Sequence, residues 1–253
     1  MENPEIIVIG SGIGGLCCAG LLAKGGKKVL VVEAHSKPGG AAHGFERNGY
    51  KFESGPSLWS GLGTWPTTNP LGQVLKALNQ KVELIKYHDW NVQIPEGNYT
   101  IGVGDKRFAD QVNSISGKYA VKEWENFTKV IRPIGAAASS IPLLTLNQNK
   151  ETIFQLLKRS KTLLPHLKSF KYLGGSFGNL VDEHLKDPFL RNWVDLLSFL
   201  ISGLTKDETN AAAMATLFDD WFKKDAYLEY PKGGSESIVK ALLNGFYSFG
   251  GQL

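Results

Sequence analysis

Three glycines and one carboxylate near the start of the chain have a spacing that suits phosphate and sugar binding. Gly10, Gly12 and Gly15 form the pattern Gly-x-Gly-x-x-Gly, and Glu33 follows eighteen positions after the last of them. In this pattern the first glycine permits a tight turn, the second lets a pyrophosphate approach the backbone, and the third lets a helix pack closely on a strand. A carboxylate at this distance accepts the hydroxyl groups of an adenosine ribose and disfavours a 2′-phosphate. These residues predict a dinucleotide site.

The flanking sequence supplies the strands and the helix that this site needs. Ile6–Ile9 is wholly apolar, as expected of a parallel strand buried on both faces. A helix is predicted over Ile13–Lys24, ended by Gly25 and Gly26, and residues 28–32 predict the second strand. A chance match is a real alternative in a chain with 29 glycines, but the strand, turn and helix in succession favour the site. Phosphates would lie at the helix N-terminus, where free N–H groups favour anions.

A second glycine cluster follows the second predicted strand. Gly39, Gly40 and Ala41 lie just beyond it, and a nicotinamide-only domain gives no reason for them. The chain reads VEAHSKPGGAAHGF from Val32 onward, and residues 49–57 read GYKFESGPS. These strings resemble the N-terminal part of the FAD-dependent carotenoid desaturase and isomerase family, and they are most similar to its prolycopene isomerase branch.

The resemblance returns near the end of the chain, in FDDW at residues 218–221 and YPKGGS at residues 230–235. Between about Pro66 and Ala213 little is recognisable at the level of motifs. The resemblance implies FAD as the cofactor. It implies a cofactor site formed by Gly10, Gly12, Ile13, Gly14, Gly15, Glu33, Gly39, Gly40 and Ala41.

Composition and charge exclude several other classes of function. A formal charge of +4 with 42% apolar residues is ordinary for a globular protein and does not suggest a nucleic-acid partner. Cys17 and Cys18 are adjacent on one predicted helix, so we expect small core residues there rather than a disulfide or a metal site. The first strand starts after five residues, which leaves no room for a signal peptide and predicts a cytoplasmic start.

The predicted fold class is α/β, with a Rossmann-like FAD-binding domain interrupted by an α+β substrate-binding domain. Residues 1–69 form the first part of the FAD-binding domain, residues 70–224 the substrate-binding domain, and residues 225–253 return to the FAD-binding domain. Gln252 lies where the next strand of a βαβ unit should begin. We therefore expect the C-terminal part of the sheet to be missing, with a separate C-terminal half as a candidate partner.

Beyond residue 70 the sequence predicts a hairpin followed by helices. Residues 89–94 and 99–103 flank a turn and predict two paired strands. From Tyr119 apolar residues recur at intervals of three and four, which predicts a helix that Pro133 should end or kink. A basic amphipathic segment over residues 153–172 favours a solvated helix face, with contact to an anionic membrane surface as the alternative.

Later helices are marked by their end signals. Asp187, followed by proline, begins one helix and Gly203 ends it. Its apolar residues cover more than one face, so it is a core helix or, as the sharper alternative, the wall of an apolar tunnel. Thr205 and Glu208 have the spacing of a capping box for the next helix. The last helix is predicted over residues 235–248.

Three functional readings remain open at this point. The resemblance implies an FAD-dependent carotenoid cis–trans isomerase acting on a long apolar polyene, with peripheral membrane contact as a further expectation. A carotenoid desaturase or retinol-type saturase is the second reading, and an inactive fragment or one subunit of a split flavoenzyme is the third. No catalytic side chain is assigned, although His43, Arg47 and Glu53 are candidates for positions near the flavin.

Overall fold

The computed structural model describes residues 3–67, 69–94, 97–140, 150, 154 and 164–253. The chain divides into two compact units, and we call Met1–Tyr87 with Tyr227–Leu253 the first unit and His88–Ala226 the second unit. Residues 70–87, which the sequence analysis assigns to the substrate-binding domain, thus lie in the first unit. The functional assignment of the two units remains a prediction.

The helices and strands follow the chain in this order. The first unit begins with β1 (Ile6–Ile9), α1 (Ile13–Lys24), β2 (Val29–Val32), β3 (Gly44–Arg47), β4 (Tyr50–Glu53), α2 (Pro70–Ala77) and β5 (Leu84–Tyr87). The second unit contains β6 (Asp89–Ile94), β7 (Gly97–Gly102), α3 (Asp105–Ser140), α4 (Phe177–His184), α5 (Pro188–Ser202) and α6 (Ala211–Phe222). The first unit ends with β8 (Leu228–Pro231) and α7 (Ser235–Ser248).

The strands β1 and β2 pair in parallel, as the sequence predicts, with α1 as the crossover. Val29, Val31 and Phe246 form a buried cluster with residues of α1, so α1 and α7 cover one face of this pair. The prediction that β1 is buried on both faces is wrong, because Ile7 is 57% exposed and Ile9 is 89% exposed. Side chains alternate along a strand, and the described residues cover only the face opposite to these two.

Gln252 lies beside β2, where the sequence predicts the next strand. Its N–H donates to the carbonyl of Val29 at 3.2 Å, and its carbonyl accepts from the N–H of Val31 at 2.7 Å. The bridge between Leu30 and Gln252 is parallel. The described sheet is therefore a parallel pair with the start of a third pairing at its edge.

Small residues allow the helices of the first unit to approach each other. A Cβ on Gly20 of α1, or on Gly245 of α7, would lie 2.7 Å from an atom of the fully buried Leu78. The prediction of a core position holds in part for Cys17, which is half-buried. Burial raises the pKa of the Cys17 thiol to about 11. It is wrong for Cys18, which is exposed because its side chain lies on the solvent side of α1.

A buried carboxylate ties the returning strand to the first part of the chain. Strand β8 pairs antiparallel with β5, and Glu229 on β8 is fully buried. Its carboxylate accepts from the N–H groups of Leu62 and Gly63 at 2.7 and 3.0 Å. Its own N–H donates to the carbonyl of Trp59 at 2.8 Å. Because buried polar groups need partners, Glu229 fixes the turn at residues 62–63.

The second unit confirms the predicted hairpin and corrects one helix. Strands β6 and β7 pair antiparallel from Asp89 with Gly102 onward. Helix α3 begins before Tyr119 and continues past Pro133, so the prediction that the proline ends the helix is wrong. The break within α3 lies at Gly117, whose φ of 82° and ψ of −177° are not helical. Pro133 is exposed, and its ring is accommodated on the solvent side.

The predicted ends of α5 are confirmed, whereas the residue predicted to cap α6 is wrong. The Asp187 carboxylate accepts from the N–H of Leu190 at 2.9 Å, and Gly203 ends α5 in the left-handed conformation. Thr205 and Glu208 do bond to each other, but within a turn that precedes α6. Asn210 caps α6 instead, because it lies directly before the first helical residue.

An aromatic cluster forms the core of the second unit. The buried rings of Phe108, Trp124, Phe218 and Phe222 contact one another with centroids 4.6 to 6.3 Å apart. Helix α5 adds Trp193, which stacks on Phe108 at 6.3 Å. Half of the basic segment at residues 153–172, namely residues 153 and 155–163, lies outside the described residues, and Leu164–Tyr172 form a 3-10 helix.

Candidate functional site

The first glycine turn, residues 10–15, has the geometry of a phosphate-binding turn. Gly10 has a φ of 91°, which favours glycine, and its N–H donates to the carbonyl of Val32 at 2.7 Å. A Cβ on Gly15 would overlap the carbonyl oxygen of Gly10, so only glycine lets α1 begin this close to β1. The predicted roles of the first and third glycines therefore have a steric basis in the chain itself.

Gly12 and Gly14 differ from Gly15, because the packing of the protein does not require them. A Cβ on either residue would meet no atom within 4 Å. Gly12 is the N-cap of α1, and no side chain caps the helix there. The open space thus lies in front of N–H groups that a helix leaves without intrahelical partners. Ile13, also a predicted site residue, packs its side chain against the core of the first unit.

The second glycine turn, residues 39–42, lies directly against the first. The N–H of Gly39 donates to the carbonyl of Ser11 at 2.9 Å, and Gly39 forms a parallel bridge with Gly12. Gly40 has a φ of 57°, and a Cβ on it would lie 3.0 Å from the Cα of Gly12. Ala41 is exposed, and its carbonyl leaves no room for a side chain on Gly55. The two predicted glycine clusters therefore form one continuous surface.

Glu33, the predicted ribose ligand, follows β2 and faces the first glycine turn. One carboxylate oxygen, Oε2, accepts from the N–H and the hydroxyl of Ser11 at 2.7 and 2.5 Å. The other, Oε1, accepts from the N–H of His35 at 2.8 Å. These bonds lower the pKa of Glu33 to about 2, and the Ser11 hydroxyl has the largest effect. Glu33 is thus a fixed anion beside the N-terminus of α1.

Sequence reasoning missed Ser11 as a residue of this site. The structure buries it fully between Gly10 and Gly12. Its hydroxyl reaches Glu33 across 22 positions of sequence. The only available signal was a small hydroxyl residue between the first two glycines, and that signal does not specify a partner.

Glu53 lies in one of the strings that carry the family resemblance, residues 49–57, and its carboxylate contacts another, residues 230–235. Its carboxylate accepts from the hydroxyl of Tyr230 at 3.0 Å and from the N–H of Ser235, the first residue of α7. A Cβ on Gly234 would lie 2.7 Å from the same carboxylate. Burial, followed by the bond to Glu53, raises the pKa of Tyr230. The contacts of Glu53 are therefore those of a helix cap.

The other two candidates near the flavin lie on the hairpin of β3 and β4 or just before it. His43 contacts the carbonyl of Gly40 through Nδ1 at 2.7 Å and the hydroxyl of Ser54 through Nε2 at 3.0 Å. Arg47 is exposed and pairs with Tyr50 at the end of the hairpin. His43 is thus brought to the second glycine turn, and Arg47 is not.

Comparison with known proteins identifies relatives of this chain. A model of the NAD(P)-binding Rossmann-like domain matches residues 8–76, which include both glycine turns and Glu33. Prolycopene isomerase 1, chloroplastic, from an Oncidium hybrid cultivar is 30% identical over 254 residues, covering 100% of this chain and 42% of the relative. The chain is a homologue of the prolycopene isomerases. The family resemblance and the Rossmann-like fold class are confirmed.

A retinoid enzyme is a relative at a similar distance. All-trans-retinol 13,14-reductase from Danio rerio is 31% identical over 248 residues, covering 94% of this chain and 39% of the relative. The solved structure of a putrescine oxidase variant superposes with a TM-score of 0.61 at 16% identity, covering 98% of this chain and 50% of that one. This last likeness concerns the fold alone. The chain spans about two fifths of the length of these curated relatives.

Proposed function

We propose that this prolycopene isomerase homologue contributes the first part of an FAD site to an enzyme that isomerises cis double bonds of a long polyene. The observation that carries the proposal is the contact between the two glycine turns, with Gly39 bridged to Gly12. A nicotinamide-only domain gives no reason for a second turn of this kind, and similarity to the prolycopene isomerases favours a flavin dinucleotide beside it. Similarity to prolycopene isomerases over the whole chain favours the isomerase reading.

The residues of the first unit fit such a cofactor. The open space at Gly12 and Gly14 would admit the pyrophosphate to the N–H groups of α1. Glu33 would accept from the adenosine ribose, and Gly40 and Ala41 would lie beside the pyrophosphate or the flavin. Bound FAD would supply the redox-active ring system for the double-bond chemistry. The chain itself would bind and orient the cofactor and shield it from water.

The exposed apolar side chains of α5 favour an apolar substrate. This helix buries Trp193 and Leu197 in the core but leaves Phe199 and Leu200 more than half exposed. The interpretation of α5 as a core helix accounts for the buried Trp193 and Leu197. The exposed Phe199 and Leu200 would contact the hydrocarbon. Contact with a membrane surface, where such a substrate dissolves, is part of the proposal. Among the described residues no helix is long and apolar enough to cross a bilayer.

A second function deserves a test because a specific comparison favours it. The fish all-trans-retinol 13,14-reductase is 31% identical to this chain over 248 residues, which supports a saturase or desaturase acting on a retinoid or carotenoid. The third hypothesis is a subunit without activity of its own, and a complex that binds flavin but turns over no substrate would favour it.

The substrate class can be tested with the chain complemented by the remaining part of the Oncidium prolycopene isomerase. The complex is assayed in two parallel arms, one in air with oxidised FAD and one without oxygen with FAD reduced by dithionite. The substrates are prolycopene, all-trans-retinol and putrescine, each followed by chromatography and mass spectrometry. We expect prolycopene to change its isomer composition without a change in mass. A retinol product heavier by two hydrogens would replace the isomerase proposal with the saturase. Turnover of putrescine alone, or a flavin-loaded complex without turnover of any substrate, would overturn the polyene proposal.

A further inference from the structure

Ser11 and Glu33 form a short contact inside the first glycine turn. Ser11 is fully buried, and both its N–H and its hydroxyl donate to the same carboxylate oxygen, Oε2, at 2.7 and 2.5 Å. The other oxygen, Oε1, accepts from the N–H of the nearby His35 at 2.8 Å. The orientation of the carboxylate relative to the glycine turn therefore depends on Ser11.

We propose that Ser11 is a positioning residue that holds Glu33 in the orientation needed to accept from a ribose hydroxyl and to reject a 2′-phosphate. The inference rests on the proposed dinucleotide function. An ionised carboxylate offers about four acceptor positions on its two oxygens. Ser11 occupies the two positions on Oε2, so a ribose hydroxyl would donate to Oε1, which already accepts from the N–H of His35. Without Ser11 the Glu33 side chain would lose the hydrogen bonds that hold its orientation. Binding of a ribose would then have to restrict the side chain to one orientation, at a cost in conformational entropy.

The charges around Glu33 bear on this inference. His35 lies next to it in the chain, and its ring contacts that of His43 with centroids 5.1 Å apart. Lys37 donates from Nζ to the carbonyl of Gly44 at 3.1 Å. Because bonding in the folded state lowers the pKa of Glu33 from 4.5 to about 2, the carboxylate stays ionised throughout the neutral range. Loss of Ser11 would move this pKa back toward 4.5, so Glu33 would lose its charge at a higher pH.

A double-mutant cycle separates this role from a merely structural one. We expect S11A to weaken binding of ADP about tenfold at pH 7, measured by calorimetry or NMR titration of the 253-residue chain. In the E33A background the same change should have little effect, because residue 33 then offers no acceptor to the Ser11 hydroxyl. S11A should also reduce the preference for AMP over adenosine 2′,5′-bisphosphate, two ligands that differ only in the 2′-phosphate. Equal losses from S11A in both backgrounds, or no loss in either, would overturn the inference.

A control and a ligand-free readout keep this test distinct from a test of the proposed function. S235A removes another buried hydroxyl of the first unit, one that donates to the carbonyl of Pro56, and should leave ADP binding unchanged. If the wild-type chain binds no adenine nucleotide, the proposed function fails, but the pKa of Glu33 can still be measured by carboxyl NMR. We expect about 2 in the wild type and a clear rise in S11A. An unchanged pKa would overturn the role of Ser11 by itself.

Discussion

Replacing Gly12 with valine is expected to abolish dinucleotide binding while leaving the first unit folded. The φ of −62° and ψ of 169° at Gly12 are accessible to any residue, and a Cβ there would meet no atom within 4 Å. The cost to the protein should stay below about 1 kcal/mol, since valine is only a poorer N-cap than glycine. The valine side chain would instead fill the space in front of α1. We expect at least about a 100-fold loss of affinity for FAD or ADP, about 2.8 kcal/mol.

A matched control for this change exists in the second unit. A Cβ on Gly174 would also meet no atom within 4 Å, so G174V adds the same side chain to an equally open position. Circular dichroism and urea unfolding should show both variants folded, with only G12V defective in calorimetric titration. A folded G12V chain that keeps its affinity within about threefold would contradict the path assigned to the pyrophosphate.

Removing the buried carboxylate of Glu229 should have the largest effect on stability. E229A would leave the N–H groups of Leu62 and Gly63 without their acceptor in a buried setting. Each unsatisfied buried donor costs about 1–3 kcal/mol, so we expect a loss of about 2–4 kcal/mol in the free energy of unfolding. The measurement is urea denaturation at neutral pH.

The matched control for E229A is a neighbouring surface carboxylate. Glu83 pairs with Lys232 at 2.8 Å, but both side chains are well exposed. E83A should therefore change the free energy of unfolding by less than about 1 kcal/mol. If E229A and E83A unfolded at the same urea concentration, the assigned role of Glu229 in holding the turn at residues 62–63 would be wrong.

Local patterns predicted the elements that surround the candidate site, because these elements are adjacent in sequence. Strand β1, the first glycine turn and α1 form one continuous stretch. Within it, Gly10 and Gly15 stand where the backbone requires glycine. The end signals of α5 succeeded for the same reason, since Asp187 and Gly203 act on their own helix. Gln252 was placed correctly because a parallel strand must follow its crossover helix.

Contacts between distant residues could not be predicted in this way. Glu53 resembled a candidate near the flavin, yet its partner, Ser235, lies 182 positions further along the chain. The break in α3 fell at Gly117 rather than Pro133, because tertiary packing decides whether an exposed proline can stay in a helix. The exposure of Ile7 and Ile9 depends on which elements cover the sheet, and an apolar run does not specify that.

The central claim is that the two glycine turns and Glu33 hold the adenosine half of FAD. Its most direct measurement is flavin absorbance after gel filtration, on the 253-residue chain and on the same chain joined to the remaining part of the Oncidium prolycopene isomerase. Because this chain covers 42% of that relative, we expect stoichiometric flavin on the joined protein and little on the chain alone. Stoichiometric flavin on the chain alone would contradict the need for the rest of the site. A folded joined protein that retains no flavin would contradict the central claim itself.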